Sequence, residues 1–410
     1  MKVRLILPKN LPSIASQFVK VTLDRAVKMV QPPLSLPYLA ALIPRDIEVK
    51  IVDENFEEIN YKEDVDMAGI SIPFTHLAPH AYEIADQFRK GNIKVVLGGV
   101  HPTFMPEEAI EHADSVVIGE AETTWERLWD DFRNGSLQKF YKSSEHSDLD
   151  KLPLPRKDLL NLNNYIMDSI QTSRGCPHNC SFCVTRQMFG NKTRYRSLET
   201  LISEIKNSPF RNIEFVDEDI AANKERAKEL FEALIPLKIK WQADAPVYII
   251  GDDELLELAR KSGCYNLAFG FESINEDNVK DIGKPFFQDP NYYPEMIEKV
   301  HYYGISVNGS FLFGLEHDDK QIFDEFLDFV EKTKMEVFAP FIVTPFPGTP
   351  LYKNLEKEGR IIDKDWSKYD STHVVFQPKL LTVTELYKGV TKIWLKSQQL
   401  WNRYYGEILE

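Results

Sequence analysis

The sequence predicts an α/β protein built as two parallel-sheet units followed by a small, mainly helical C-terminal lobe. Three observations lead there. Short apolar runs rich in β-branched residues alternate with amphipathic stretches, first up to about residue 150 and again from about residue 169. A proline-marked stretch, Lys151-Leu-Pro-Leu-Pro155, separates the two series. Beyond residue 347 the alternation stops and the chain turns aromatic and helical.

In the first series, strands are expected at residues 3–7, 49–52, 67–72, 95–97 and 116–118. Between them, residues 76–90 carry Leu77, Ala81, Ile84, Ala85 and Phe88 at three- and four-residue spacing, which gives one buried helical face. Such alternation implies a parallel sheet wrapped by helices, with ligands beyond the carboxyl ends of its strands. The second series places strands at 169–173, 212–216, 240–243, 266–271, 306–313 and 338–344. Helices are expected at 198–206, capped by Ser197, and at 229–237, 253–261 and 321–332. Six strand–helix units are too few to close an eightfold barrel in the usual way. In the tail, Trp366, Tyr369, Tyr387, Trp394, Trp401, Tyr404 and Tyr405 suit the core of a lobe that covers the barrel, with a helix at 384–405. The expected division is 1–150, a linker at 151–168, 169–347, and 348–410.

The chain has 410 residues, enough for two or three cores. At 43% hydrophobic it reads as globular. A formal net charge of -14 argues against a duplex nucleic-acid partner, although Arg186, Lys192, Arg194 and Arg196 form a local basic cluster. No apolar run is long enough to span a membrane. The start, Met-Lys-Val-Arg-Leu-Ile-Leu-Pro, is too short for a signal peptide and reads as the first strand. Four cysteines without an export signal fit a reducing cytoplasm.

Three of those cysteines sit within eight residues, as Cys176-Pro177-His178-Asn179-Cys180-Ser181-Phe182-Cys183. Three thiolates in one loop can hold three irons of a [4Fe–4S] cube and leave the fourth iron open to a substrate or cofactor. A structural zinc would need a fourth ligand, from His178 or Cys264. A disulfide would leave an odd thiol, and a redox C-x2-C would not need Cys176. Cys264, in Ser-Gly-Cys-Tyr, reads as a buried strand residue.

The C-x3-C-x-aromatic-C pattern, with Phe182 in the aromatic place and Thr172-Ser173-Arg174-Gly175 before it, resembles the radical SAM superfamily. The resemblance implies an open (βα)6, TIM-like partial barrel. It also implies an iron–sulfur loop after the first barrel strand, and S-adenosylmethionine (SAM) bound on the open iron and cleaved to a deoxyadenosyl radical. The first unit adds a second resemblance. Pro32-Pro33-Leu34-Ser35-Leu36-Pro37-Tyr38-Leu39-Ala40-Ala41 resembles the P-P-L-G-L-x-Y-L-A-A opening of cobalamin-binding radical SAM proteins. Ser71-Ile-Pro-Phe-Thr75, Leu97-Gly98-Gly99-Val-His101-Pro-Thr103 and Val117-Ile-Gly119-Glu120-Ala-Glu122 close three strands on the same rim, where glycines let backbone approach a large ring. The implied fold of residues 1–150 is a Rossmann-like cobalamin-binding domain. The D-x-H-x-x-G motif for a lower cobalt ligand is absent: His101 lacks both the Asp two before and the Gly three after. His76, His80 and His101 also suit ordinary loop or helix positions.

The resemblance therefore implies Cys176, Cys180 and Cys183 as cluster ligands. It implies Pro33, Leu34, Ser71, Gly98, Gly99, His101, Gly119 and Glu120 on the cobalamin side. Phe182, Asp217, Glu218, Gln242, Gly270, Glu272 and Ser273 are implied on the SAM side, with Glu272 at the ribose and the Asp217–Glu218 strand end at the SAM ammonium. Asp244 joins Gln242 as a polar pair on the third barrel strand, and Phe313-Gly314 with Pro345-Phe-Pro347-Gly-Thr349 lie on the adenine side. Arg194-Tyr-Arg-Ser197 could meet a carboxylate or cobalamin, or form a solvated basic turn. The implied activity is methyl transfer from SAM, via methylcobalamin, to an unactivated sp3 carbon, with an external one-electron donor. Compact length and a short last lobe resemble the branch that C-methylates a glutamine of methyl-coenzyme M reductase. Lipid, tetrapyrrole or other small-molecule methylation, a cobalamin-bearing cyclase, and a non-catalytic cobalamin or cluster sensor are the alternatives.

Overall fold

The computed structural model describes residues 1–10, 20–23, 26–283 and 289–409, and every statement of absence or number below concerns these described residues. The chain opens with β1 (Lys2–Leu7), passes through an antiparallel hairpin of β2 (Lys20–Leu23) and β3 (Ala26–Met29), and returns as β4 (Glu48–Asp53). It continues with β5 (Met67–Ser71), β6 (Lys94–Gly98), β7 (Ser115–Ile118) and β8 (Phe140–Lys142). These form a six-stranded sheet in the order β4-β1-β5-β6-β7-β8. Every pair in it is parallel. The helix Ala78–Lys90 buries Ala81, Ile84, Ala85 and Phe88, the face expected from their spacing. Neither the hairpin nor β8 was expected. β8 is only three residues long and carries no resolvable period.

The second unit runs through β9 (Asp168–Ile170), β10 (Ser173–Arg174), β11 (Arg194–Tyr195), β12 (Asn212–Phe215), β13 (Lys240–Ala245), β14 (Cys264–Glu272), β15 (Ser306–Phe313) and β16 (Val337–Ile342). Six of these make an all-parallel sheet in the order β16-β15-β14-β13-β12-β9, the strand sequence of an open barrel. The strand expected at 169–173 is broken. Ile170 still accepts from the Val216 amide, but the next donor, the Thr172 amide, goes to the Asp217 carboxylate at 2.6 Å. A side chain thus takes over the ladder, and the chain leaves the sheet. Ser173 and Arg174 pair instead with Tyr195 and Arg194, antiparallel. That short ladder is the neck of the cysteine loop.

The segment after β16 packs back on both units. The long helix Val383–Leu409 lies against β16, burying Leu386, Val390, Ile393 and Trp394 in the barrel core. Lower down, Trp401 and Tyr404 cluster with Val30, Met167 and Val337; the side chain of Tyr405 lies outside the described residues. Trp366 reaches the first unit, donating Nε1–H to Glu108 at 2.9 Å across 258 residues of sequence. No helix is long and apolar enough to cross a membrane.

The two units are stitched by buried charge. Lys157, in the expected linker, contacts Asp168 at 2.8 Å and Glu204 at 3.2 Å. Arg196 is 2% exposed and donates to Tyr38, Glu204 and the Gln171 carbonyl. The basic cluster after the cysteines is therefore not a free surface at Arg194 and Arg196, because both guanidiniums bond to buried carboxylates.

Candidate functional site

A cleft of about 1060 Å³, partly open to solvent, lies where the carboxyl ends of β1, β5, β6 and β7 face the cysteine loop. One wall is the helix Ser35–Ala41, with Leu36, Tyr38 and Leu39, preceded by Leu34. The rim of the first sheet supplies Ser71, Gly98, Gly99, Gly119 and Glu120. Arg174, Met188, Phe189 and Val216 of the second unit face them. Most of the lining is apolar, so a large ring placed there is shielded from water.

The glycines of this rim are not equivalent. A Cβ on Gly98 would sit 3.7 Å from Val117, an ordinary contact. Gly99 has φ +110, and a Cβ there would lie 2.6 Å from the Ile72 carbonyl oxygen. Gly119 has φ +84 with nothing within 4 Å of the built Cβ. Local backbone geometry needs glycine at 99 and 119, and close approach to an occupant would need it at 98.

Of the cobalamin-side residues expected, Leu34, Ser71, Gly98, Gly99, Gly119 and Glu120 border the cleft; Pro33 and His101 do not. His101 is buried with Nε2 3.4 Å from Glu108 and its ring edge-on to Trp366. That placement corrects the expectation for His101, because the short helix Val100–Phe104 carries it behind the glycine rim.

The cysteine loop is a lasso. Gly175, φ +99, passes the Lys192 carbonyl so closely that a Cβ would come within 2.5 Å. Cys176 donates its amide to Gly190 at 3.4 Å and Cys183 to Cys180 at 3.2 Å. Ser181 ties the loop to Ile282 and Leu351. The three cysteines are half-buried and unbridged. Burial pushes the Cys176 thiol up to about 11, so ionisation there calls for a cation at the sulfur. No three His, Cys, Asp or Glu groups converge on a single metal ion among the described residues; a cube instead asks each thiolate for its own iron. Cys264 begins β14, is fully buried, and contacts the Asn266 carbonyl. His178 is turned toward Asp219, 3.4 Å away.

Beside the loop, Phe182 borders a second, half-open pocket with Leu312, Phe341, Val343, Thr344 and Phe346. The barrel mouth next to it is rich in carboxylates. Asp217 accepts from Thr172 twice and from Ser173, so it holds the neck of its own loop. This corrects its expected place at the SAM ammonium. Glu218 is pushed up to about 7 by burial, and its Oε2 has no hydrogen-bond partner among the described residues. Glu272 adopts φ +64 just after a register shift in β14, beside Asp244. Ser273 accepts from the Asn275 amide and from Asn278. Gln242 donates to Glu214. Asp244 is pushed up to about 6, by burial and then by Glu272 and Asp219, yet water reaches it through the open mouth. The shift therefore applies fully only once the lumen is filled.

Glu214 lies deeper, pushed up to about 8 by burial against the opposing Gln242 hydrogen bond. A folded pKa above the unfolded one stabilises below the unfolded value and loses that stability as pH rises toward 8. Glu214→Gln is therefore expected to flatten the pH dependence of the unfolding temperature between pH 5 and pH 8. Parallel thermal curves for the two proteins across that range would contradict the burial of a neutral acid.

Glu120 is the feature the sequence concealed. Its side chain is 1% exposed. It accepts from Arg194 Nη2 and, at 3.1 Å, from Nη1, lies 3.4 Å from Arg174, and accepts from the Ser147 amide at 2.9 Å. The Ser147 hydroxyl and His146 complete the set. Burial pushes the carboxyl up, but Arg194, Arg174 and Ser147 together hold it down at about 2. Arg174 also bonds Glu122 at 3.0 Å and stacks over Phe189. Only the alternative of a carboxylate partner for Arg194 hinted at this in the sequence.

Comparison with known proteins finds two family models in the chain. The B12 binding domain family matches residues 21–128, and the Radical SAM superfamily matches residues 170–330. The bacteriochlorophyllide d C-12(1)-methyltransferase of Chlorobaculum tepidum is 31% identical over 376 residues, covering 89% of this chain and 82% of that protein. The C-8(2)-methyltransferase of the same organism is 33% identical over 365 residues, covering 84% and 80%. Among solved structures, the radical SAM methyltransferase TsrM from Kitasatospora setae, with tryptophan and a SAM analogue bound, superposes with a TM-score of 0.73 at 15% identity, covering 96% of this chain and 88% of that one. The cobalamin-dependent radical enzyme OxsB, with aqua-cobalamin and SAM bound, gives 0.68 at 17% identity, covering 96% and 66%. At these identities the two structures establish the shared fold.

Proposed function

Since the chain belongs to the cobalamin-dependent radical SAM family, we propose that it methylates an unactivated sp3 carbon, with a protein glutamine side chain as acceptor. It is an enzyme, a radical SAM methyltransferase whose cofactors are a [4Fe–4S] cluster, SAM and cobalamin. The single observation that carries the reaction is a glycine-rimmed apolar cleft whose facing wall, Arg174, Met188 and Phe189, belongs to the neck and body of the three-cysteine lasso.

The residues fit the cofactors. Cys176, Cys180 and Cys183 would hold the cluster, and the orphaned Glu218 oxygen suits the SAM ammonium. Glu272 suits the ribose and the Phe182 pocket the adenine. Leu34, Ser71, Gly98, Gly99 and Gly119 would floor the cobalamin ring. When bound, the cluster with SAM supplies a hydrogen-abstracting radical, and cobalamin supplies the methyl group. The chain's own work is positioning: it must present one acceptor carbon to both cofactors at once, and the apolar walls keep water from the reacting carbon. An external one-electron donor belongs to this reading.

The acceptor reading draws support from the lumen, where the inward positions of β13 and β15 include Gln242, Asp244, Asn308 and Ser310. Those groups suit an amide-bearing side chain. A tetrapyrrole acceptor is the second reading, favoured by what the two Chlorobaculum relatives act on. Anaerobic reconstitution with iron, sulfide, cobalamin and SAM tests both, offering a glutamine-containing reductase peptide in one arm and a bacteriochlorophyllide in the other. The expected outcome is a peptide heavier by one methylene, with deoxyadenosine and S-adenosylhomocysteine in equal amounts. Methylation of the pigment alone overturns the glutamine reading. Deoxyadenosine without S-adenosylhomocysteine overturns methyl transfer and points to a cyclase, and neither product points to a sensor.

A further inference from the structure

We infer that Glu120 is a positioning residue that pins the neck of the cysteine loop to the rim of the cobalamin cleft. The carboxylate sits one residue beyond Gly119, whose backbone borders the cleft. Its two arginine partners, Arg174 and Arg194, are themselves the paired residues of the loop's neck. A single buried group therefore touches both cofactor-bearing elements. Arg194 continues inward to the Ser147 carbonyl at 2.7 Å and the Phe189 carbonyl at 3.3 Å, so the same guanidinium also fixes the far side of the loop. Arg174 is held in plane by Gln171 at 3.0 and 3.1 Å and by Glu122.

The geometry argues against a role as a direct ring ligand. Protein donors already occupy both carboxylate oxygens, and two of them are cations: Arg174, which also holds Glu122, and the partly exposed Arg194. Removing the charge takes the carboxylate from Arg194, leaves Arg174 with Glu122 alone, and loosens the neck. In a reaction whose acceptor must face two cofactors, a small drift of one relative to the other uncouples the two chemical events.

The test uses Glu120→Gln and Arg194→Lys in the full chain. In cofactor-free protein, amide hydrogen exchange across residues 173–195 is expected to quicken by about tenfold in both variants, with β5 and β14 unchanged. Unchanged exchange in the loop, or faster exchange everywhere, overturns the inference. In holoenzyme, deoxyadenosine formed per methyl transferred is expected to rise by about tenfold in Glu120→Gln, with partial rescue in Glu120→Asp. An unchanged ratio, or loss of cobalamin from Glu120→Gln with an intact neck, also overturns it. The product ratio rests on the methyltransfer reading, whereas the exchange measurement does not. A wild-type enzyme that makes no methylated product would therefore sink the proposed acceptor chemistry and leave the pin to be judged by exchange alone.

Discussion

Replacement of Cys176, Cys180 and Cys183 by Ala is expected to abolish iron binding and to lower deoxyadenosine formation from SAM by more than about a thousandfold, some 4 kcal/mol or more of barrier. The reason is one of ligand count. The lasso offers three thiols, and each would hold a separate iron. Among the described residues, neither the remaining cysteine nor the loop's histidine is placed to substitute for them. His178 is engaged with Asp219, and Cys264 lies at the start of β14, sealed in the barrel core. Cys264→Ala is the matching control, expected to lose about 1 kcal/mol of stability while keeping its iron and its turnover. The measurements are iron and sulfide content, the visible absorbance of the cluster, and deoxyadenosine by liquid chromatography. Retained SAM cleavage in the triple variant would refute the assignment of the loop.

The second large effect is expected at Gly99. Gly99→Ala forces a Cβ onto the Ile72 carbonyl, which is itself fixed by the His101 amide at 3.2 Å. Backbone at φ +110 and ψ -168 is essentially confined to glycine and costs another residue about 1–3 kcal/mol, and the steric overlap adds about 1–3 kcal/mol more. The unfolding temperature should drop by several degrees. Cobalamin retained through gel filtration should fall at least about tenfold, because the shifted backbone is the floor of the cleft. Gly98→Ala, one residue earlier, has room for its methyl group and should keep the wild-type unfolding temperature. Equal stability for the two variants would show that the rim tolerates displacement and that the glycine geometry is incidental.

The legible parts of this protein share a property: their meaning lies within a few residues of chain. The C-x3-C-x2-C spacing is a loop-scale pattern, so three cysteines on one loop were readable directly. Helical periodicity exposed the buried face of Ala78–Lys90, and short β-branched runs exposed the parallel strands. The glycines at strand ends marked the cleft rim for the same reason. β8, with three residues, is too short to carry a period, and the hairpin of β2 and β3 carries no turn signature strong enough to set its register.

The misplacements occurred where a side chain overruled a local pattern. The run at 169–173 is strand-like in composition, but Asp217 captures the Thr172 amide from another part of the chain and ends the strand at Ile170. The same capture removes Asp217 from the SAM side. His101 looked like a rim residue until Glu108 and Trp366 were seen to enclose it. Arg194 and Arg196 looked like part of a basic cluster, yet their charges are neutralised by Glu120 and Glu204.

Sequence alone determined the cofactor class, the two-unit organisation and the three-cysteine loop, because spacing and periodicity are properties of neighbours along the chain. Tertiary structure alone decided which carboxylates face the lumen and which brace the scaffold. A charged group's role depends on what burial brings against it, and the partners of Glu120, Asp217 and Glu108 come from segments that only folding places within hydrogen-bond reach.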